Sequence, residues 1–342
     1  MLNRSSVRLP HCTRARASRS PFNHRALLSP SLSTLPHIPL RRLSSSQGNP
    51  AVVSAPVKLN DGTSIPWLGF GTGSALFGRN AELMVEAALR AGITHLDGAQ
   101  AYSNEESLGA GIVASGRPRS ELHVTTKLNR LDAGSTVRDS LLASLNKLKL
   151  DRVDLFLIHT PTAFEGPGRL KEIWKQFEEV KAEGLTRSIG VSNFRIPQLT
   201  QILDGATVPP AINQIEYHPY VFKDLIALRE LHAQHGIVTE SYGGLSPLFR
   251  AKGGPVDPVL ARIAQRLSET AGQPYNEGHV LMLWQRAKGI VVVTTTTKES
   301  RLTSYLAVTN APLLTSEEVA AIDEAGSQWH RRLYTASIPV TD

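Results

Sequence analysis

Eight short apolar runs alternate with longer stretches of helical period along the chain, and few architectures accept that order. The runs fall at residues 68–71, 93–97, 122–127, 153–159, 187–191, 211–216, 237–242 and 289–293. Helical patterns lie between them, as at 81–91, 135–148, 170–183, 222–234 and 256–271. Strands buried on both faces read as continuous apolar runs, and parallel neighbours need a crossover helix between them. The alternation leaves a parallel barrel or a doubly wound sheet. Polar residues gather where the runs end, which favours the barrel: an α/β fold, the (β/α)8 TIM barrel, with its chemistry on the C-terminal rim. Ahead of the first run, Asn60-Asp61-Gly62 punctuates the segment from Val57 to Ile65 and predicts an N-terminal β-hairpin.

Residues 52–342 are long for an ordinary domain and normal for such a barrel. Residues 1–47 are of another kind. The first acidic residue of the chain is Asp61, and the sixty positions before it hold eight arginines, many serines and several prolines. An Arg- and Ser-rich, acid-free segment predicts a mitochondrial targeting peptide, with Arg41-Arg42-Leu43-Ser44 as its processing site. The same arginines account for the formal charge of +7; without them basic and acidic residues balance. The high isoelectric point is therefore no sign of nucleic-acid binding. The single cysteine, Cys12, lies in this segment and leaves no thiol chemistry to the barrel. No apolar run approaches the ~20 residues of a membrane span.

Several familiar motifs are absent or incomplete. Gly69-Phe70-Gly71-Thr72-Gly73-Ser74 imitates a dinucleotide fingerprint, but Ser74 stands where the third glycine belongs. It reads instead as the first barrel strand opening into a loop. Nucleophilic-serine, Walker and zincin motifs do not occur, and His232 and His235 read as a solvated helix face rather than a metal pair.

The strand ends carry the chemistry. Asp97 closes the second run and Tyr102 follows in a polar loop; Lys127 closes the third and His159 the fourth. Asn193, Gln214 and Tyr242 stand at the ends of the fifth, sixth and seventh. A phenol with a pKa of about 10 serves as a proton donor near neutrality only if a cation pulls that value down. Lys127 is the cation available, and Asp97 would keep it charged. Each residue alone has a structural explanation, but together, at consecutive strand ends of one barrel, they describe a site.

These stretches resemble the aldo-keto reductases from Val57 to about Asp323. The likeness rests on Asp97-Gly98-Ala99-Gln100-Ala101-Tyr102-Ser103-Asn104-Glu105, Thr126-Lys127, Leu157-Ile158-His159, Gly190-Val191-Ser192-Asn193-Phe194 and Asn213-Gln214-Ile215-Glu216-Tyr217-His218-Pro219. It implies an enzyme that reduces aldehydes or ketones with NADPH, NADH being the less favoured cofactor. Tyr102 would be the general acid, Lys127 its partner, Asp97 the counter-ion of Lys127, and His159 the group orienting the carbonyl. Ser192, Asn193 and Gln214 would hold the nicotinamide carboxamide, with Tyr242 stacked on the ring. The implied partner is a small carbonyl substrate, with neither nucleic acid nor membrane involved, and a monomer or weak oligomer is expected. The alternative is a cofactor-sensing binding subunit on the same fold.

Where the family commonly has Pro-Lys-Ser after the eighth strand, this chain has Thr294-Thr295-Thr296-Thr297-Lys298, and Arg301 keeps the later arginine. This variant resembles a fungal-type branch that includes the ketoamide and conjugated-polyketone reductases. Thr295, Thr296, Lys298 and Arg301 would then form the 2′-phosphate site. Gly243 and Gly244 precede Leu245 where the pyrophosphate should lie. Gly73 replaces a tryptophan that lines the substrate mouth in many relatives, and the tail from Trp329 onward is expected to border that mouth.

Overall fold

The computed structural model describes residues 55–334; the expected targeting segment and residues 335–342 lie outside the described residues. Strands β1 (Val57–Lys58) and β2 (Ser64–Ile65) form the antiparallel hairpin, with Val57 opposite Ile65. The barrel strands are β3 (Leu68–Gly71), β4 (His95–Asp97), β5 (His123–Leu128), β6 (Val153–Ile158), β7 (Thr186–Ser192), β8 (Ile212–Glu216), β9 (Val238–Tyr242) and β10 (Val291–Thr294). All neighbours are parallel, and β10 bonds to β3 and closes the ring, which excludes the doubly wound sheet.

The helices outside the ring are α1 (Glu82–Ala91), α2 (Glu105–Ser115), α3 (Val137–Leu148), α4 (Arg169–Ala182), α5 (Ile196–Leu203) and α6 (Ile226–Gln234). They continue with α7 (Ser246–Phe249), α8 (Val256–Ala271), α9 (Glu277–Ala287), α10 (Glu299–Ala307) and α11 (Ser316–Ser327). Sequence sets their ends. Thr136 and Asp139 make a reciprocal capping box at the start of α3, and Thr315 with Glu318 does the same for α11. Gly92 and Gly116 end α1 and α2 in the left-handed conformation that glycine adopts without penalty.

The barrel interior is layered. At the hairpin end, Leu59 and Ile65 pack with Leu155, Leu157, Ala211, Ile212 and Val291 as a dry plug. Asn60 fastens the hairpin turn by donating to the Pro210 carbonyl at 2.9 Å, and Lys181 pairs with Asp61 at 2.8 Å. Above the plug the interior turns polar. His95 and His123 are register partners on β4 and β5, as are Gln214 and Glu240 on β8 and β9. All four are buried. The main apolar core lies between the ring and its helices, with Phe156, Phe177 and Trp174 stacked on one another.

One sequence expectation is corrected here. His235 is exposed, but His232 is buried, its Nδ1 2.9 Å from Thr239 Oγ1 and its Nε2 3.0 Å from Asn213 Nδ2. It lies one helical turn after the buried Leu228, on the stripe of α6 that faces the ring. It is a satisfied core histidine, not part of a solvated face.

Candidate active site

Tyr102 is carried by a short 3₁₀ turn after β4, and the loop around it is fastened at several points. Asn104 Nδ2 donates to the carbonyls of Thr72 and Leu76, both at 2.9 Å, tying this loop to the one after β3. Gln100 donates to Ser140 and Ser144 and accepts from the Asn129 backbone at 2.9 Å. Buried Glu105 accepts from Thr126 at 2.7 Å, next to Lys127. Such ties hold a phenol to a fraction of an ångström, as proton transfer demands.

Lys127 Nζ is wholly buried and has three hydrogens, all engaged. It donates to Asp97 Oδ1 at 2.6 Å, to the Gly98 carbonyl at 3.0 Å and to Tyr102 Oη at 3.2 Å. Burial alone would lower the pKa of this amine, but Asp97 and Tyr102 outweigh burial and the net shift is upward. Lys127 is therefore a permanent cation. An ammonium donates and never accepts, so Tyr102 Oη accepts from it and keeps its own hydrogen for another partner.

The expectation that Lys127 brings the phenol toward neutrality is corrected in its net sign. Burial pushes the Tyr102 phenol above its usual value, Asp97 adds to that, and Lys127 works against both. The lysine limits a rise that burial would otherwise make larger, and Tyr102 stands fully protonated.

The His159 ring meets Tyr102 edge-on, with centroids 5.5 Å apart at 84°. Burial, aided by the Lys127 charge, lowers its pKa to about 4, so the imidazole is neutral at physiological pH. Phe77, 55% exposed, tilts against Tyr102 with ring centroids 6.0 Å apart. Gly73 lies under the tyrosine: a Cβ there would come within 2.9 Å of Tyr102 Cζ. The room left at Gly73 is therefore taken by the Tyr102 ring.

A cleft of about 300 Å³ runs from Tyr102 past Tyr242, Leu245 and Thr295 to Arg301. Tyr242 is fixed by a 2.6 Å hydrogen bond to Asn193 Oδ1, and Asn193 adopts a left-handed backbone, φ 64°, and donates to the His159 carbonyl. Ser192 Oγ donates to the Gln214 carbonyl at 2.9 Å. Gln214 Nε2 spans two carboxylates, Asp97 Oδ2 at 2.7 Å and Glu240 Oε2 at 2.8 Å, which leaves its Oε1 as the free end. The buried Thr295 Oγ1 has no hydrogen-bond partner although it lies against the cleft.

Two of the residues expected at the phosphate site stand elsewhere. Thr296 Oγ1 accepts from the Lys298 backbone at 3.0 Å, and Lys298 is the exposed residue preceding α10; neither lines the cleft. Arg250, which the sequence reading missed, does line the cleft. Its guanidinium lies over the Tyr334 ring at 4.7 Å, and Arg301 lies over Phe249 at 5.6 Å. Both arginines are exposed. The signal for Arg250 was a cation one residue beyond Ser246-Pro247-Leu248-Phe249, at the tip of the loop already identified.

The tail is clamped across this cleft. The backbone N–H groups of Leu333 and Tyr334 donate to the two carboxylate oxygens of Glu216, at 2.7 and 3.1 Å. His218 Nε2 donates to the same carboxylate at 3.0 Å. The clamp sets Tyr334 edge-on to Tyr242, with centroids 5.6 Å apart.

A ring platform, an unpartnered hydroxyl, paired glycines and two exposed guanidiniums along one cleft fit a dinucleotide. Among the described residues no cluster of three His, Cys, Asp or Glu stands ready for a metal, and no helix is long and apolar enough to cross a membrane. The sequence pattern of the Aldo/keto reductase family matches residues 68–327. The chain is 36% identical over 285 residues to a NAD/NADP-dependent indole-3-acetaldehyde reductase of Schizosaccharomyces pombe, covering 80% of this chain and 96% of the relative. It is 34% identical over 255 residues to a glyoxal reductase of Bacillus subtilis, covering 74% and 86%. A crystal structure of an aldo/keto reductase from Brucella melitensis superimposes with a TM-score of 0.68 at 33% identity, covering 80% of this chain and 99% of that one. The chain belongs to the aldo/keto reductase family of carbonyl-reducing oxidoreductases.

Proposed function

We propose that this enzyme reduces aldehydes and ketones with NADPH, using Tyr102 as the proton donor. The observation that carries the reading is the three-way engagement of Lys127, which leaves the cleft-lining Tyr102 with its own phenol hydrogen to give. A reduced nicotinamide, when bound, supplies the hydride to the carbonyl carbon. As that bond forms, the carbonyl oxygen takes on negative charge and needs a donor already in place. Tyr102 gives up its proton, the product leaves as the alcohol, and the tyrosinate stays beside Lys127. Neutral His159 offers a second N–H and fixes which lone pair of the oxygen meets the phenol. Asp97 holds Lys127 so that its charge does not wander during the transfer.

The substrates in the two relatives' names, indole-3-acetaldehyde and glyoxal, are aldehydes, which supports that part of the reading. Preference for NADPH is supported by Arg250 and Arg301, exposed at the cleft and stacked on rings rather than paired with carboxylates. The N-terminus of α10 adds partial positive charge beside Arg301.

Steady-state turnover of a panel of aldehydes and activated ketones with both cofactors tests the reading. Tyr102→Phe should lower kcat by about 10²–10⁴ while cofactor binding stays near normal, because the lost donor acts in the transition state. Unchanged turnover would remove Tyr102 from its role.

A further inference from the structure

Beneath the Asp97–Lys127 pair lies a second acid–base pair that the mechanism above does not use. Glu240 is fully buried on β9. Its Oε2 accepts from Gln214 Nε2 at 2.8 Å, and the other hydrogen of that amide goes to Asp97 Oδ2 at 2.7 Å. Its Oε1 has no hydrogen bond and faces His95 Nε2, itself unpartnered, across 3.5 Å. The other nitrogen of His95, Nδ1, lies 3.2 Å from the Pro66 carbonyl. A carbonyl only accepts, so Nδ1 carries the ring hydrogen. Nε2 and Oε1 would then be two lone-pair atoms facing each other in a dry interior unless a proton stands between them. With Glu240 ionised and His95 neutral, two carboxylates would share one buried ammonium. A single proton on this pair removes that excess.

We propose that Glu240 is a positioning residue for carbonyl reduction: a neutral acid whose O–H points at His95 and whose Oε2 anchors Gln214, so that Gln214 fixes Asp97 against Lys127. This rests on the roles given above to Tyr102 and Lys127. The groups facing Glu240 are His95 and Asp97 from β4, Lys127 from β5, and Gln214 from β8, with His123 behind His95 at 4.9 Å between ring centroids. Burial first, then the Asp97 charge, raise the Glu240 carboxyl to about 8, against the pull of Gln214 and Lys127. Burial also lowers His95 to about 4, so the proton belongs to Glu240. When Glu240 does ionise, its charge raises the Tyr102 phenol and competes with it for Lys127. Tyr102 becomes a weaker acid, and reduction slows.

The test compares the full-length wild-type enzyme with Glu240→Gln and Glu240→Ala, following kcat and kcat/KM from about pH 6 to about pH 10, with thermal melts alongside. Glutamine reproduces the neutral acid: its carbonyl accepts from Gln214, and its amide donates to His95. Glu240→Ala should lose about tenfold in kcat near neutrality, and Glu240→Gln should restore most of that loss. The wild-type rate should decline as pH rises through about 8, and the Glu240→Gln rate should lack that step. In the melts, an acid whose folded pKa is raised supplies stability that is lost as pH climbs from the unfolded to the folded value, so the wild type should fall relative to Glu240→Gln from about pH 6 to about 8 and then level off. A Glu240→Gln profile that declines like the wild type would overturn the proposal. So would a Glu240→Gln enzyme as impaired as the alanine variant, or one that fails to fold. The melts keep this proposal separate from the proton-donor role: Tyr102→Phe could retain full turnover and end that role while the melting difference remained.

Discussion

At the scale of single residues, the site is decided by which hydrogens are already engaged. Lys127 has none left after Asp97, Gly98 and Tyr102, and Gln214 has none left after Asp97 and Glu240. What Tyr102 has left for the cleft it lines is its own hydrogen, a donor for the reacting oxygen, and what Gln214 has left is its side-chain Oε1, an acceptor. Arg301 sets the other end. Hydrogen bonds to a charged group contribute about 1.5–3 kcal/mol each, so Arg301→Ala should raise KM for NADPH by about tenfold or more. NADH carries no 2′-phosphate, and its kinetics should hardly move. Equal losses with the two cofactors would mean that Arg301 meets a part common to both and that the phosphate assignment is wrong. Asp97, Lys127 and His159 were legible from the sequence because each closes a strand run with an ionisable group, and Tyr102 because it follows the first of them in a polar loop. Glu240 breaks a run as well, but its partners come from β4 and β8, and one strand's pattern does not reveal what faces it across a barrel. Thr296 and Lys298 differ: the residue types suit a phosphate, while the turn into α10 engages the threonine with backbone.

At the scale of elements, the eight strands follow the apolar runs to within two residues at each end, because continuous burial is what a parallel barrel strand requires. The five helical patterns also became helices. Helix α2 was not legible. Its sequence, Glu105-Glu106-Ser107-Leu108-Gly109-Ala110-Gly111-Ile112-Val113-Ala114-Ser115, has small residues where an amphipathic stripe would have large ones. The reason is close packing on two sides. A Cβ on Gly109 would lie 2.6 Å from the Leu148 carbonyl oxygen at the end of α3, and one on Gly111 would lie 2.6 Å from the Glu82 carbonyl oxygen of α1. Both obstacles are backbone, so the helices themselves would have to separate. Alanine is ordinarily the better helix former by about 1 kcal/mol. Here Gly109→Ala should instead destabilise the fold by about 1–3 kcal/mol, the usual range for overpacking. A melt in which the variant gains stability would mean that α2 and α3 have slack between them.

At the scale of the whole molecule, the layered interior gives stability a definite pH dependence. Five imidazoles are held below their ordinary value mainly by burial: His95 and His159 at about 4, His232 at about 3, and His123 and His279 also lowered. A group with a depressed folded pKa supplies stability above its unfolded value, about 6.5 for histidine, and loses it as pH falls toward the folded value. Each pKa unit corresponds to about 1.4 kcal/mol, so these histidines together represent several kcal/mol against a total stability of about 5–15 kcal/mol. The carboxylates with lowered values, Asp61 and Glu216 among them, start from 3.8 or 4.5 and so contribute only below that window. Glu240 acts in the reverse sense, because its raised value makes stability fall as pH climbs from 4.5 to about 8. Up to five protons oppose one on the acid side, and the two balance at about pH 7, where each unfolded histidine is about one-fifth protonated. Stability should therefore peak at about pH 7. It should drop steeply toward pH 4.5 and decline gently toward 8. Urea midpoints across that range measure both slopes. A flat acid limb above pH 4.5 would mean that the buried imidazoles find compensating partners when protonated, and that their burial does not set the stability of the barrel.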